Sequence, residues 1–124
     1  MLRECHRVLK PDGVLAGYVI HIPLGLTPAQ EREAVDLGPS AVGAEGSPAG
    51  LATAAGFREV RVEDVTDTFL ATLDRLISAR LSHEAPLREV EGDQAFEEEQ
   101  GKNEEKRRGA LSGLLKRSLV VARK

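Results

Sequence analysis

The chain contains no tryptophan, one tyrosine and three phenylalanines, so its core must rest on Leu, Val and Ala. Its one cysteine, Cys5, has no partner for an internal disulfide, which fits a reducing, cytoplasmic setting. An excess of positive charge is also missing. Lys and Arg number 17 against 20 Asp and Glu, a formal net charge of -3, which excludes a general nucleic-acid binder. The first residues carry Arg3, Glu4 and His6 in place of a basic segment followed by a long apolar run, so no signal peptide is expected. The apolar run from Val14 to Ile22 is too short to span a membrane.

What is present suits one small globular domain of 124 residues, with 41% hydrophobic and 30% charged residues. Leu2, Cys5, Val8 and Leu9 recur at helical spacing. Lys10-Pro11-Asp12-Gly13 then stops the helix, because proline cannot continue it and Asp-Gly is turn chemistry. Val14 to Ile22 is almost continuously apolar and β-branched, the pattern of a strand covered on both faces. Thr27-Pro28-Ala29-Gln30 predicts a helix start with a capping box, and the helix should end at Gly38-Pro39. The Gly-, Ser- and Pro-rich segment 38–50 predicts a loop. Ser47-Pro48 starts a short helix through Ala55, with Gly56 as its left-handed stop and Phe57 folding back.

Val60 and Val62 alternate with Glu59, Arg61 and Glu63, which predicts a strand with one wet face near a sheet edge. Over Thr66 to Ser82, Phe69, Leu73, Leu76, Ile77 and Arg80 fall on one side of an amphipathic helix, and Pro86 interrupts beyond it. Glu97 to Arg108 has no large apolar residue. The pairs Glu98–Lys102 and Glu104–Arg108 predict a solvated helix or mobile segment. Leu111, Leu114 and Leu115 restore an apolar face, and "RSLVVA" over 117–122 predicts a last strand. The expected core centres on Val14, Leu15, Val19, Ile20, Leu51, Phe57, Val60, Val62, Leu119 and Val121.

In this order the segments resemble a known family. "LRECHRVLKPDGVLAGYVI" is similar to the stretch of class I S-adenosylmethionine-dependent methyltransferases, of the small-molecule, type 11-like kind, in which a helix feeds the fifth sheet strand. "LATAAGFREVRVEDV" resembles the next helix and the sixth strand, and "LLKRSLVVARK" the seventh, which returns antiparallel between those two. Asp12 stands where the family usually has Gly, a mild departure, since Asp tolerates turn conformations. The resemblance implies an α/β fold. A partial Rossmann-like methyltransferase sheet of three C-terminal strands, the last antiparallel, carries flanking helices and a helical insert. The chain 1–124 reads as a single incomplete domain: helix and strand 1–22, helices and loop 27–56, strand 58–65, helical insert 68–113 and strand 117–122.

The family's cofactor sits on its first half, and none of those positions exists here. Gly38, Gly43, Gly46 and Gly50 do not make G-x-G-x-x-G and do not directly follow a strand, so no cofactor residue is carried over. The resemblance implies S-adenosylmethionine for the complete family and no cofactor for this chain alone. It also implies a small-molecule methyl acceptor in the complete enzyme.

His21 is the candidate substrate-facing residue. It ends a strand of parallel type, where open α/β sheets bind ligands. It either touches substrate, or serves as a base, or is a hydrogen-bonded strand end. Tyr18 reads as packing, and Cys5 as core on the helix's apolar stripe. Cys5 and His6 have no further ligand at metal spacing, so no metal site is expected. His83 near a helix end opposes the helix dipole or contacts substrate. No triad, paired carboxylates or nucleophile elbow is visible. Methyl transfer does not require one, because the sulfonium is already a strong electrophile and alignment suffices. Two functions follow: a distal methyltransferase half, inactive alone until a complementing N-terminal half joins it, or a non-enzymatic module that pairs, as a homodimer or with another chain, through its exposed sheet edge. Either way the isolated chain should be marginally stable.

Overall fold

The computed structural model describes residues 1–39 and 46–124. The expected loop over 38–50, with Gly43, lies partly outside the described residues. Helix α1 (Leu2–Val8) leads through a tight turn into strand β1 (Val14–His21). In that turn Asp12 adopts φ 60, and the Gly13 N–H donates to Lys10 O at 2.9 Å. Helix α2 (Pro28–Leu37) starts with the full capping box: Thr27 Oγ1 accepts from Gln30 N, and Gln30 Oε1 accepts from Thr27 N. Helix α3 (Pro48–Ala54) is capped by Ser47 and stopped by Gly56 at φ 100, and the Phe57 N–H folds back onto Ala52 O. Strand β2 (Arg58–Asp64) follows, then the helices α4 (Thr66–Ser82), α5 (Glu84–Glu91) and α6 (Asp93–Leu111), and finally β3 (Lys116–Arg123). Pro86 falls in the first turn of α5, where its missing N–H has no helical acceptor to lose.

The sheet order is β1-β3-β2, with β3 antiparallel to both neighbours. β1 and β2 therefore run the same way with the returning strand between them. Residues directly opposite each other share a face. Leu15 opposes Ala122 on one face, while Tyr18 opposes Leu119 on the other. The first face is covered: Ala52, Phe57 and Ala122 form a cluster with Leu2, Cys5, Leu9, Leu15 and Val60. Over the second face, Phe69 and Leu73 of α4 pack with Ala110 and Ile20. A third cluster joins Ala34 and Leu37 of α2 to Leu114 and Leu115 ahead of β3.

Several sequence expectations need correction. β1 is a sheet edge among the described residues, not a strand covered on both faces; Val14 is 52% and Tyr18 62% exposed. On β3 the buried residues are Ser118, Val120 and Ala122, not Leu119 and Val121. Apolar residues occupy both parities of this strand, so its sequence does not tell which face is covered. Val62 is exposed, and a bulge at Glu59 (φ 50) shifts the β2 register between Arg58 and Arg61. Leu15, Val19, Ile20, Leu51 and Val60 are half-buried, and Phe57 is buried. Val8, expected on the apolar stripe of α1, and Leu76, expected on that of α4, are exposed, as is Leu111.

The Glu- and Lys-rich stretch from Glu97 to Arg108 is a largely exposed helix, one of the two expected alternatives, with Asn103 its one buried residue. It is part of α6, which also buries Phe96, Gly109 and Ala110 at its two ends. Its charges pair across helices instead of four residues along: Arg107 reaches Asp74, and Arg88 reaches Glu97. Asn103 is 2% exposed, and its Nδ2 has no acceptor among the described residues. A buried donor left unpaired retains its desolvation cost, so Asn103→Leu should raise stability by about 1 kcal/mol in urea denaturation. Unchanged or lower stability would show that the amide has a partner worth keeping.

Candidate functional site

The two strands that run the same way, β1 and β2, end side by side across the start of β3. Their carboxyl ends carry a connected polar group. His21 opposes Lys116 directly, and Val19 opposes Ser118, which puts His21, Lys116 and Ser118 on one face. His21 Nε2 lies 2.9 Å from Ser118 Oγ. On the neighbouring strand Asp64 Oδ1 accepts from the Thr66 N–H at 3.0 Å and from its hydroxyl, while Lys116 Nζ donates to Asp64 Oδ2 at 3.1 Å. Thr66 Oγ1 in turn accepts from the Arg117 N–H at 3.1 Å. The end of β2 and the start of β3 are thereby pinned to the first turn of α4, and the end of β1 joins them through His21 and Ser118.

The protonation states follow from these contacts. The Thr66 hydroxyl and N–H, with the Lys116 ammonium, hold the Asp64 carboxyl at about 2. Burial pushes His21 below its ordinary 6.5; a backbone hydrogen bond at Ile22 and the charge of Asp64 oppose this, and Lys116 reinforces it. His21 is therefore neutral near pH 7. Both groups lose stability on acidification. An unfolded histidine binds its proton below about pH 6.5 more readily than folded His21, so stability falls as pH drops through that value. Asp64 contributes above its unfolded pKa near 4, and that contribution is lost as pH falls from about 4 towards 2. Urea midpoints against pH should show both declines, with His21→Gln flattening the upper one and Asp64→Asn the lower. A profile for His21→Gln that matches the parent between about pH 7.5 and 5.5 would contradict the first assignment.

Chemically this group positions; it does not provide a nucleophile. Ser118 is 3% exposed, so its hydroxyl faces His21 and not solvent. Asp64 bonds to Thr66 and Lys116, not to the imidazole, so Ser118, His21 and Asp64 do not form a relay. His83 ends α4 with Nδ1 3.0 Å from Ala79 O, a contact of the helix terminus. Cys5 packs in the cluster beneath α1 and α3. Among the described residues no group of three or more His, Cys, Asp or Glu is placed to hold a metal. No helix among the described residues is long and apolar enough to cross a membrane.

Sequence reasoning placed His21 at the end of a strand, where the structure has it, and did not name the residues around it. Ser118, Lys116 and Asp64 join it only through the β3 register, which no local pattern encodes. The one local signal was Asp64-Val65-Thr66: an Asp two residues before a helix's first Thr is an Asx-turn arrangement.

The sequence matches no family model and no curated protein. Solved structures do match. A protein assigned as a sarcosine dimethylglycine methyltransferase from Galdieria sulphuraria superposes with a TM-score of 0.82 at 20% identity, over 99% of this chain and 46% of that one. Phosphoethanolamine N-methyltransferase 2 from Haemonchus contortus, solved with S-adenosyl-L-methionine, gives 0.77 at 16% identity, over 99% and 29%. The cyclopropane synthase MmaA2 from Mycobacterium tuberculosis gives 0.70 at 18%, over 99% and 48%. Identities this low establish the fold alone. The fold shared with part of each is a three-stranded Rossmann-like sheet with flanking helices, the arrangement that the sequence resemblance implied. The chain spans half or less of the length of each of these three proteins.

Proposed function

We propose that this chain is the distal, substrate-side half of a cytoplasmic S-adenosylmethionine-dependent methyltransferase acting on a small molecule, and that it is inactive alone. The observation that carries this reading is the superposition over 99% of the chain onto 46% of a methyltransferase-type structure. In this reading S-adenosylmethionine binds a complementing N-terminal half that pairs with the free edge of β1. His21, at the carboxyl end of β1, faces the methyl acceptor. Phosphoethanolamine N-methyltransferase 2 supports a small-molecule acceptor, since it was also solved with phosphomonomethylethanolamine and S-adenosylhomocysteine.

The test is complementation. The polypeptide encoded in frame upstream of Met1 is fused to, or mixed with, the chain, and transfer of labelled methyl groups from S-adenosylmethionine to a panel of small amines, acids and phosphoesters is followed. Transfer by the pair and none by either part supports the reading. An immediate upstream stop codon behind a good ribosome site, with no transfer, contradicts it.

A second reading has its own observation. The edge of β1 is unpaired among the described residues and carries exposed Val14 and Tyr18. Such an edge recruits another strand. A non-enzymatic module pairing through β1 would form a stable dimer that ignores S-adenosylmethionine, which sedimentation equilibrium with and without the cofactor distinguishes.

A further inference from the structure

Arg117 starts β3 on the face opposite His21. Its guanidinium carbon lies 4.4 Å from the centroid of the Tyr18 ring and 5.1 Å from that of Phe69. Ile20 sits directly across from it on β1. The side chain is half-buried and has no carboxylate within 4.0 Å among the described residues. There, every other arginine is either ion-paired or exposed to solvent. The guanidinium donates no hydrogen bond to a described residue, yet its nitrogens are not among the fully buried unpaired atoms. Its donors therefore reach solvent.

That combination is directional. Aromatic rings engage a guanidinium through its faces, and its five N–H groups lie in its plane. Rings at Tyr18 and Phe69 fix the group's position without using those donors. Partial burial strengthens a charge-assisted contact made there. Tyr18 is 62% exposed, so it adds an open apolar surface beside the charge.

We propose that Arg117 is an oxyanion anchor, holding the carboxylate or phosphate of a small molecule whose body rests on Tyr18. This deepens, and rests on, the reading of this strand end as the substrate side. The acceptor's anionic group is held on the face opposite His21, and only its reacting end comes round the end of β1 to His21. The methyl acceptor therefore belongs to the class of small carboxylates or phosphoesters. The anchor acts by binding, with no bond made or broken.

The experiment uses the full chain, with the side-chain Nε–Hε signal of Arg117 and the ring signals of Tyr18 followed by NMR. The probes are sodium phosphate and sodium acetate, each titrated at constant ionic strength against sodium chloride. A saturable shift confined to Arg117 and Tyr18 is expected with at least one probe, and which probe saturates reports the anion class. Arg117→Gln should weaken that binding by about tenfold or more, and Arg117→Lys should weaken it as well, because the planar fork is lost. Arg61→Gln, exposed on the same face, should leave it unchanged. An amide spectrum of Arg117→Gln that matches the parent away from the site shows the variant is folded. Shifts that spread over the surface without saturating, or an equal response in a folded Arg117→Gln, overturn the proposal. No cofactor enters this titration, so a negative result removes the anchor and leaves the methyltransferase reading to complementation.

Discussion

Leu115→Ala is expected to lower the unfolding free energy by about 2–5 kcal/mol, read as a shift of the urea midpoint at constant slope. Leu115 has no exposed surface and closes the cluster that joins α2, the end of α6 and the start of β3. Its own N–H and that of Leu114 both donate to Gly109 O, at 3.0 and 2.9 Å, so the chain wraps the end of α6 before entering the sheet. Gly109 is part of the same fit. A methyl group there would lie 2.6 Å from Leu115 Cδ1 and 3.4 Å from Leu37 Cβ. Gly109→Ala should therefore destabilise by about 1–3 kcal/mol, although alanine is the better helix former. Small domains hold about 5–15 kcal/mol in total, so Leu115→Ala removes a large share. A loss below about 1 kcal/mol would show that α6 and β3 are not joined in this way.

Phe96→Ala is expected to cost about 3–5 kcal/mol and to loosen α5 and α6 before the sheet, read by amide hydrogen exchange. Phe96 is 2% exposed and is the one large side chain that α6 buries. The guanidinium of Arg88 lies 4.4 Å from its centroid and that of Arg80 4.9 Å. Arg80 is ion-paired with Glu91 of α5 at 2.8 Å, and Arg88 with Glu84 at 2.7 Å and with Glu97. The insert is thus a small core roofed by paired arginines, and removing the ring leaves the roof with nothing beneath it. Leu76→Ala, at an exposed position of the same insert, should stay within about 0.5 kcal/mol. Equal effects of the two substitutions would contradict this packing.

The contrast between Phe96 and Leu76 shows what the sequence could disclose. Caps and turns were legible because they are local: Thr27 with Gln30, Gly56 before Phe57 and Asp12 in its turn each carry their own stereochemistry. The strand order became legible through the family resemblance, not through periodicity. Face assignments were not. "SLVVA" offers apolar side chains to both sides of β3, and coverage by α1 and α3 against a mostly open second face decides between them. The run from Glu97 to Arg108 looked solvated because its neighbours in sequence are charged, and it is largely exposed; what its sequence does not show is that Asn103 is buried and that Arg107 pairs with Asp74, 33 positions away. The site divides in the same way. His21 was legible from its place at a strand end. Ser118, Lys116, Asp64 and Arg117 depend on the pairing of three strands, and the aromatic setting of Arg117 depends on α4 as well.

The central claim is that the chain carries the substrate side of a methyltransferase fold and no cofactor site of its own. Calorimetric titration of the folded 124-residue chain with S-adenosylmethionine tests it most directly. The expected result is no measurable binding by the chain alone and micromolar binding once the upstream half is joined to it. Micromolar binding by the isolated chain, with its circular dichroism spectrum showing native structure, would contradict it.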